Sequence, residues 1–127
     1  MKNNKYYRVY AEINLDAIVK NVDNLMALTK ENTGALAVVK ADGYGHGDVA
    51  VAKAVAQKVT GYAVATLDEA VNLRENGVKK PILVLGYVDP YEFDILVSHE
   101  ITATVFDVET RSEEHTSELQ SQVIISY

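Results

Sequence analysis

Ala37-Val38-Val39-Lys40-Ala41-Asp42-Gly43-Tyr44-Gly45-His46-Gly47 is the stretch on which the fold turns. It opens as a short apolar, β-branched run, the pattern of a strand buried on both faces. It then carries one lysine and breaks into a loop with glycine at 43, 45 and 47. Desolvating a lysine at the end of a buried strand is costly, so its presence asks for a reason. One reason is chemistry, because partial burial lowers an amine's pKa and favours attack on carbonyl carbons. The other is a lysine that snorkels from the strand end into water. The residue types alone leave both open and favour the second.

Outward from that stretch, apolar strands alternate with amphipathic helices. Residues 8–14 alternate as a strand, with Val9, Ala11 and Ile13 on one face. Asn14 or Asp16 caps a helix in which Ile18, Val22, Leu25 and Met26 recur at helical spacing. Asn32-Thr33-Gly34 ends that helix, and 35–40 is the buried strand. Asp48 opens a helix over 49–59 with Ala52, Val55, Ala56 and Val59 as its stripe. Residues 61–65 read as a strand, and 67–76 as a helix closed by Gly77. Pro81 leads into the apolar strand 82–85. Asp89-Pro90 then starts a helix with Phe93, Leu96 and Val97 inward, and 101–106 is one more strand.

A strand about every 20 to 25 residues, with helices between, indicates βαβ units and a parallel sheet. Element order alone does not separate a doubly wound sheet from part of a barrel. The lack of G-x-G-x-x-G after the first strand weakens the dinucleotide-binding version.

Composition sets the limits. The 127 residues are 48% hydrophobic and 24% charged, ordinary for a globular chain. They suffice for one small domain, or about half of the ~250 residues of a complete (β/α)8 barrel. A net charge of −6 argues against nucleic acid or an anionic membrane as partner. With no cysteine there is no disulfide frame and no thiolate metal site, and no metal is expected. No apolar run nears the ~20 residues of a membrane span, and the polar start MKNNKYYRVY does not read as a signal peptide. A cytoplasmic protein is expected, with residues 1–7 frayed.

VVKADGYGHG resembles the pyridoxal-phosphate lysine motif of the alanine racemase family. Ala11-Glu12-Ile13-Asn14-Leu15-Asp16-Ala17 resembles that family's opening segment, and the likeness runs from Tyr10 to about Thr110. Related barrel enzymes with the same cofactor, such as the basic amino-acid decarboxylases, are not expected to follow the lysine with GYGHG. The resemblance implies an α/β fold, the N-terminal half of a (β/α)8 TIM barrel with about four strand–helix units. It further implies a bacterial isomerase that interconverts L-alanine and D-alanine for peptidoglycan, using pyridoxal 5'-phosphate and working as a homodimer.

Residue by residue, the resemblance gives Lys40 two roles: to hold the cofactor through its amine, and to act as the base on the D-alanine face. It gives the Tyr44 hydroxyl a hydrogen bond to the cofactor phosphate. Val38 and Leu85 are candidate cofactor-wall contacts, for which plain core is the competing role. The second base is a tyrosine of the family's C-terminal β-domain. That base, the arginine facing the pyridine nitrogen and most of the phosphate cradle belong to later parts of the family's chain.

Other polar residues have simpler readings. His46 could be a general acid and reads better as a polar loop residue. His99 satisfies a helix C-terminus, and Asp68-Glu69 complements a helix N-terminus rather than forming an acid/base pair. Two alternatives stand beside alanine racemisation. One is a racemase for another small amino acid such as serine. The other is a non-catalytic single-domain barrel for pyridoxal-phosphate homeostasis, against which the AEINLDA segment argues.

From Arg111 the apolar alternation stops. Arg111 to Ser121 could be a solvated helix, or His115 with Glu113, Glu114 and Glu118 could be a metal cluster. The segment instead resembles, codon for codon, a translated short-read sequencing adapter. The expected organisation is therefore a partial barrel domain over 1–110 and a non-native tail over 111–127, with the natural sequence continuing past Thr110. A half-barrel has two unpaired sheet edges, so the 127-residue chain alone is expected to be insoluble or molten, and inactive.

Overall fold

The structure, a computed structural model, describes residues 8–106 and the backbone of 125–126. The expectations for residues 1–7, and for 111–127 apart from that short piece of backbone, lie outside the described residues.

Five strands run parallel in the order β1-β2-β3-β4-β5: Leu36–Val38, Gly61–Val64, Ile82–Val84, Thr102–Val105 and Ile125–Ser126. Sequence order equals spatial order, with no reversal. That is the arc of a barrel rather than a doubly wound sheet, whose order reverses at a switch point. The connecting segments are α1 (Leu15–Met26), α2 (Lys40–Tyr44), α3 (Asp48–Val55), α4 (Leu67–Glu75), a 3-10 turn at Pro90–Glu92 and α5 (Phe93–Ser98). Among the described residues, no helix is long and apolar enough to cross a membrane.

The two sheet faces have different company. Val39, Tyr62, Val64, Ile82, Val84 and Ala103 are buried against Ala52, Val55, Leu73 and Leu96 of the helices. The opposite face carries Leu36 and Val38, which stay 46% and 42% exposed. The β1 strand is therefore not buried on both faces among the described residues, contrary to the pattern of its sequence. A β-branched run reports its propensity for strand, not whether a second layer reaches it.

The N-terminal segment departs furthest from expectation. Residues 8–14 form no strand, and Val9 and Tyr10 are exposed. Asn14 caps α1 by accepting the Ala17 amide at 3.0 Å. The helix stops at Met26, before Asn32-Thr33-Gly34, and its inward stripe is Leu15, Ile18, Val19 and Val22. Leu25 points out, 65% exposed, because it lies at the edge of the arc that these four share.

Helix ends elsewhere follow their sequence signals. Thr66 accepts the Glu69 amide at 3.3 Å, and Glu69 in turn accepts the Ala65 amide at 3.1 Å, close to a capping box. Gly77, at φ 86°, closes α4 with two bonds, Gly77 N to the Arg74 carbonyl and Val78 N to the Leu73 carbonyl, each 3.0 Å. This is a Schellman motif, which needs the left-handed residue that glycine supplies.

Tyr62 and Arg74 tie elements together through backbone carbonyls. The buried Tyr62 donates its hydroxyl to the Ala52 carbonyl at 2.6 Å, capping the last turn of α3. Burial raises its phenol pKa, so the proton stays in place for that bond. Tyr62→Phe is expected to cost about 1–2 kcal/mol by orphaning the carbonyl. A drop of the urea midpoint at constant slope would show it.

Arg74, near the end of α4, is committed more heavily. Nε donates to the His99 carbonyl at 2.8 Å, and Nη1 to those of Val78 and Lys80, both at 2.8 Å. Nη2 donates to the Glu100 carbonyl at 2.9 Å. Burial lowers its pKa, and the nearby Glu100 carboxylate works the other way.

Candidate functional site

Lys40 sits two residues past Val38, just beyond the C-terminal end of β1, where Val39 at ψ 23° leaves the extended conformation. Val38 itself lies on the less covered sheet face. Val38 pairs with Ala63, which pairs with Leu83, so these three form one row across that face. Leu85 follows Leu83 by the same two-residue step, and its amide still bonds the Val64 carbonyl at 2.8 Å. Val38 and Leu85 therefore share one face, and Lys40 follows β1 at the same C-terminal end of the sheet. The Lys40 side chain is half-buried, and its amine has no hydrogen bond or ion pair among the described residues.

The chain then does something that residue spacing did not announce. Ala41, Asp42, Gly43 and Tyr44 have φ of 52°, 54°, 61° and 57°, one turn of left-handed helix. Gly45 continues at φ 85°. For an L-residue this conformation costs about 1–2 kcal/mol, and runs of it do not form unaided. Aspartate and glycine lower that cost at two positions. Ala41 and Tyr44 have no such relief.

Local bonds hold the turn. Gly43 N donates to the Val39 carbonyl at 2.9 Å, and Gly47 N to the Asp42 carbonyl at 2.8 Å. The Asp42 carboxylate accepts the Asp48 amide at 3.2 Å, joining the turn to the start of α3. Gly43 is buried there, and a Cβ on it would lie 3.2 Å from Asp48 N and 3.3 Å from its Cα. Asp48 is held in turn by its Oδ1, which accepts the Val49 amide at 2.7 Å, and its Oδ2, which accepts Asn72 Nδ2 at 3.0 Å. Strain held by several bonds at once is typical of sites that place a side chain for a task.

Tyr44, last in the left-handed turn, is 59% exposed at the same end of the sheet as Lys40. An amine, a phenol hydroxyl and aliphatic walls are thus assembled where barrel sites form. Such a set can bond a carbonyl carbon, donate to an anionic oxygen and flank a flat ring.

The remaining polar residues take simpler places. His46 Nδ1 lies 3.1 Å from the Gly43 carbonyl oxygen, and the side chain is exposed. His99 Nδ1 lies 2.9 Å from the Ile95 carbonyl oxygen at the end of α5. Among the described residues, no three histidines or carboxylates gather as metal ligands would. A surface depression bordered by Arg74, Gly77, His99 and Glu100 lies at the opposite end of the strands, away from Lys40. The Asp42–Asp48–Asn72 chain was missed by sequence reasoning, which took Asp48 only as a helix opener. The available signal was an Asp beside Gly43, since both tolerate left-handed backbone.

Comparison with known proteins gives one family. The model described as "Alanine racemase, N-terminal domain" matches residues 13–123. The alanine racemase of Geobacillus stearothermophilus is 48% identical over 105 residues, covering 81% of this chain and 27% of that protein. Alanine racemase 1 of Bacillus subtilis is 45% identical over 111 residues, 86% of this chain and 28% of that protein. Among solved structures, alanine racemase of Clostridium difficile 630 superposes with a TM-score of 0.83 at 40% identity. It covers 87% of this chain, which matches 30% of that structure. A structure of the Bacillus anthracis alanine racemase with bound L-Ala-P has a TM-score of 0.77 at 35% identity, over 94% of this chain and 32% of that one. The chain thus spans between a quarter and a third of the length of these relatives.

Proposed function

This chain belongs to the alanine racemase family, and on that premise we propose that the full-length protein interconverts L-alanine and D-alanine, with pyridoxal phosphate held at Lys40. The observation that carries the reading is the family's lysine motif leading into a strained turn, with Lys40 half-buried and its amine without a partner among the described residues. The donor set fits the cofactor. Lys40 Nζ would bond its aldehyde carbon, the Tyr44 hydroxyl would donate to its phosphate, and Val38 and Leu85 would flank its ring. Bound pyridoxal phosphate supplies an electron-withdrawing ring that makes the α-proton of an amino acid acidic.

The residues of this chain do the rest of their share. Lys40 Nζ would take the α-proton from D-alanine on its own face while the second base delivers one to the opposite face, and in the reverse direction Lys40 Nζ would deliver the proton. The left-handed turn keeps Tyr44 and Lys40 at a fixed separation while the proton moves. The opposite face needs a second base, and the family resemblance places it in a later domain and a partner copy. A homodimer follows from that reading, and D-alanine for peptidoglycan is the product it would supply.

The test is decay of the optical rotation of L-alanine on adding the full-length protein loaded with pyridoxal phosphate. Decay to zero supports the reading. Binding of the cofactor with no racemisation of alanine or serine would instead favour a cofactor-homeostasis barrel, and faster turnover of serine would change the substrate. Tyr44→Phe is expected to weaken pyridoxal-phosphate affinity about tenfold with little change in stability, since its exposed hydroxyl has no bond among the described residues. Titration of the cofactor's visible absorbance measures it.

For residues 111–127 we hold to an adapter-derived tail, on the strength of the codon-level likeness. The family match runs into this stretch, to residue 123. Sequencing the source locus past the Thr110 codon decides it: a reading frame that departs from Arg111 onward supports the tail, and genomic Arg111–Tyr127 overturns it.

A further inference from the structure

We propose that Asn72, on α4, is a positioning residue for the cofactor site, acting through Asp48 on the left-handed turn that carries Lys40 and Tyr44. The inference rests on the reading that this turn holds pyridoxal phosphate.

The argument begins with the imbalance within the turn. Three of its four left-handed residues, Ala41, Asp42 and Tyr44, are not glycine, so the conformation is intrinsically uphill. Most of the bonds that oppose relaxation are local: Gly43 N to Val39, Gly45 N to Ala41 at 3.2 Å, and Gly47 N to Asp42. Local bonds travel with the segment and restrain its internal shape more than its place. Its place relative to the sheet depends on what α3 offers, because the Asp42 carboxylate and the backbone of Gly43 both rest on Asp48.

Asp48 is the first residue of α3 and is itself only half-buried. Its carboxylate has two oxygens with separate partners, the adjacent Val49 amide and the Asn72 side-chain amide. The Asn72 bond spans 24 residues and joins this helix start to the next strand–helix unit. Asn72 thereby links the turn, through Asp48, to α4, whose own end is bound by Arg74 to the loops beyond. Asn72 is exposed and contributes nothing to the apolar core, so its removal should leave the fold standing. What it should change is how long the turn spends in the pose that places Tyr44 beside the cofactor.

The exchange of roles across this pair makes the proposal testable. In Asn72→Asp two carboxylates face each other. In the double variant Asp48→Asn with Asn72→Asp, the Asn amide can donate to the new carboxylate while its carbonyl oxygen still accepts the Val49 amide. In the full-length protein, Asn72→Ala is expected to raise the pyridoxal-phosphate Kd about fivefold and Asn72→Asp further, with the double variant back within about twofold of wild type. The melting temperature of the apoprotein should be nearly unchanged across the series.

Amide exchange of the apoprotein is the second readout, independent of cofactor. Exchange at Gly43, Gly45, Gly47 and Asp48 should quicken in Asn72→Ala and recover in the double variant, while β2 and β3 amides stay slow. Wild-type affinity and exchange in Asn72→Ala and Asn72→Asp would overturn the proposal. So would a loss that the double variant does not restore, or one matched by a fall in melting temperature. If the wild type itself binds no pyridoxal phosphate, the functional reading fails, and the exchange data still decide whether Asn72 holds the turn.

Discussion

Lys40→Arg in the full-length protein is expected to abolish covalent attachment of pyridoxal phosphate and to lower alanine racemisation by at least ~10³-fold. Arginine keeps the positive charge and the length, so a lysine that only snorkels would be replaced without consequence. It cannot form the carbonyl adduct of a primary amine, nor give up its proton near neutral pH. The fold should not notice. The Lys40 amine has no bond to lose among the described residues, so the melting temperature should stay within a few degrees. Borohydride reduction of the loaded wild type followed by peptide mass analysis should find the cofactor on the peptide containing Lys40, and the variant should show none. Label on a different lysine, or retained turnover in Lys40→Arg, would refute the assignment.

Arg74→Met is expected to be the most destabilising single change outside the apolar core, by about 3 kcal/mol or more. Its guanidinium serves four carbonyls, those of Val78, Lys80, His99 and Glu100, which close the loops after α4 and α5. Methionine fills similar volume and leaves those oxygens to find water, so the loss reflects the hydrogen bonds rather than a cavity. Arg74→Lys should recover only a minor part, because a single ammonium cannot span the four acceptors that the planar fork reaches. Partial solvent access tempers the effect, since water reaches some of the acceptors once the side chain is gone. Denaturant unfolding of the full-length variants measures it, and a loss under about 1 kcal/mol would show that the carbonyls are solvated regardless.

The parts of the fold legible in the sequence were those set by local chemistry. The apolar run at 82–85 and the stretch at 101–106 gave strands at Ile82–Val84 and Thr102–Val105, Gly77 closed α4, and Asp89 capped the segment that follows it. Residues 8–14 failed because alternation over seven residues needs a neighbouring strand to become a β-ladder, and no such strand lies beside them among the described residues. Leu25 failed for a related reason. Helical spacing admits a wide arc of apolar positions, and only the packing of α1 on α3 and the core decides where that arc ends.

The sequence by itself determined the alternation of strands and helices, the family through VVKADGYGHG, and the candidate roles of Lys40 and Tyr44. Each is written in consecutive residues, where composition, spacing and motif are sufficient. Tertiary structure alone decided the arc of sequential parallel strands, since hydrogen-bond partners across 20 or more residues leave no mark on local pattern. It also decided that Val38 and Leu85 share one face, with Lys40 at the same end of the sheet, which follows from register and the Leu85 ladder bond. The left-handed turn at 41–44 belongs to the same class. Its own residues disfavour it; local bonds set its shape, and the bonds to Asp48, and from Asp48 to Asn72, fix its place only once α3 and α4 are present.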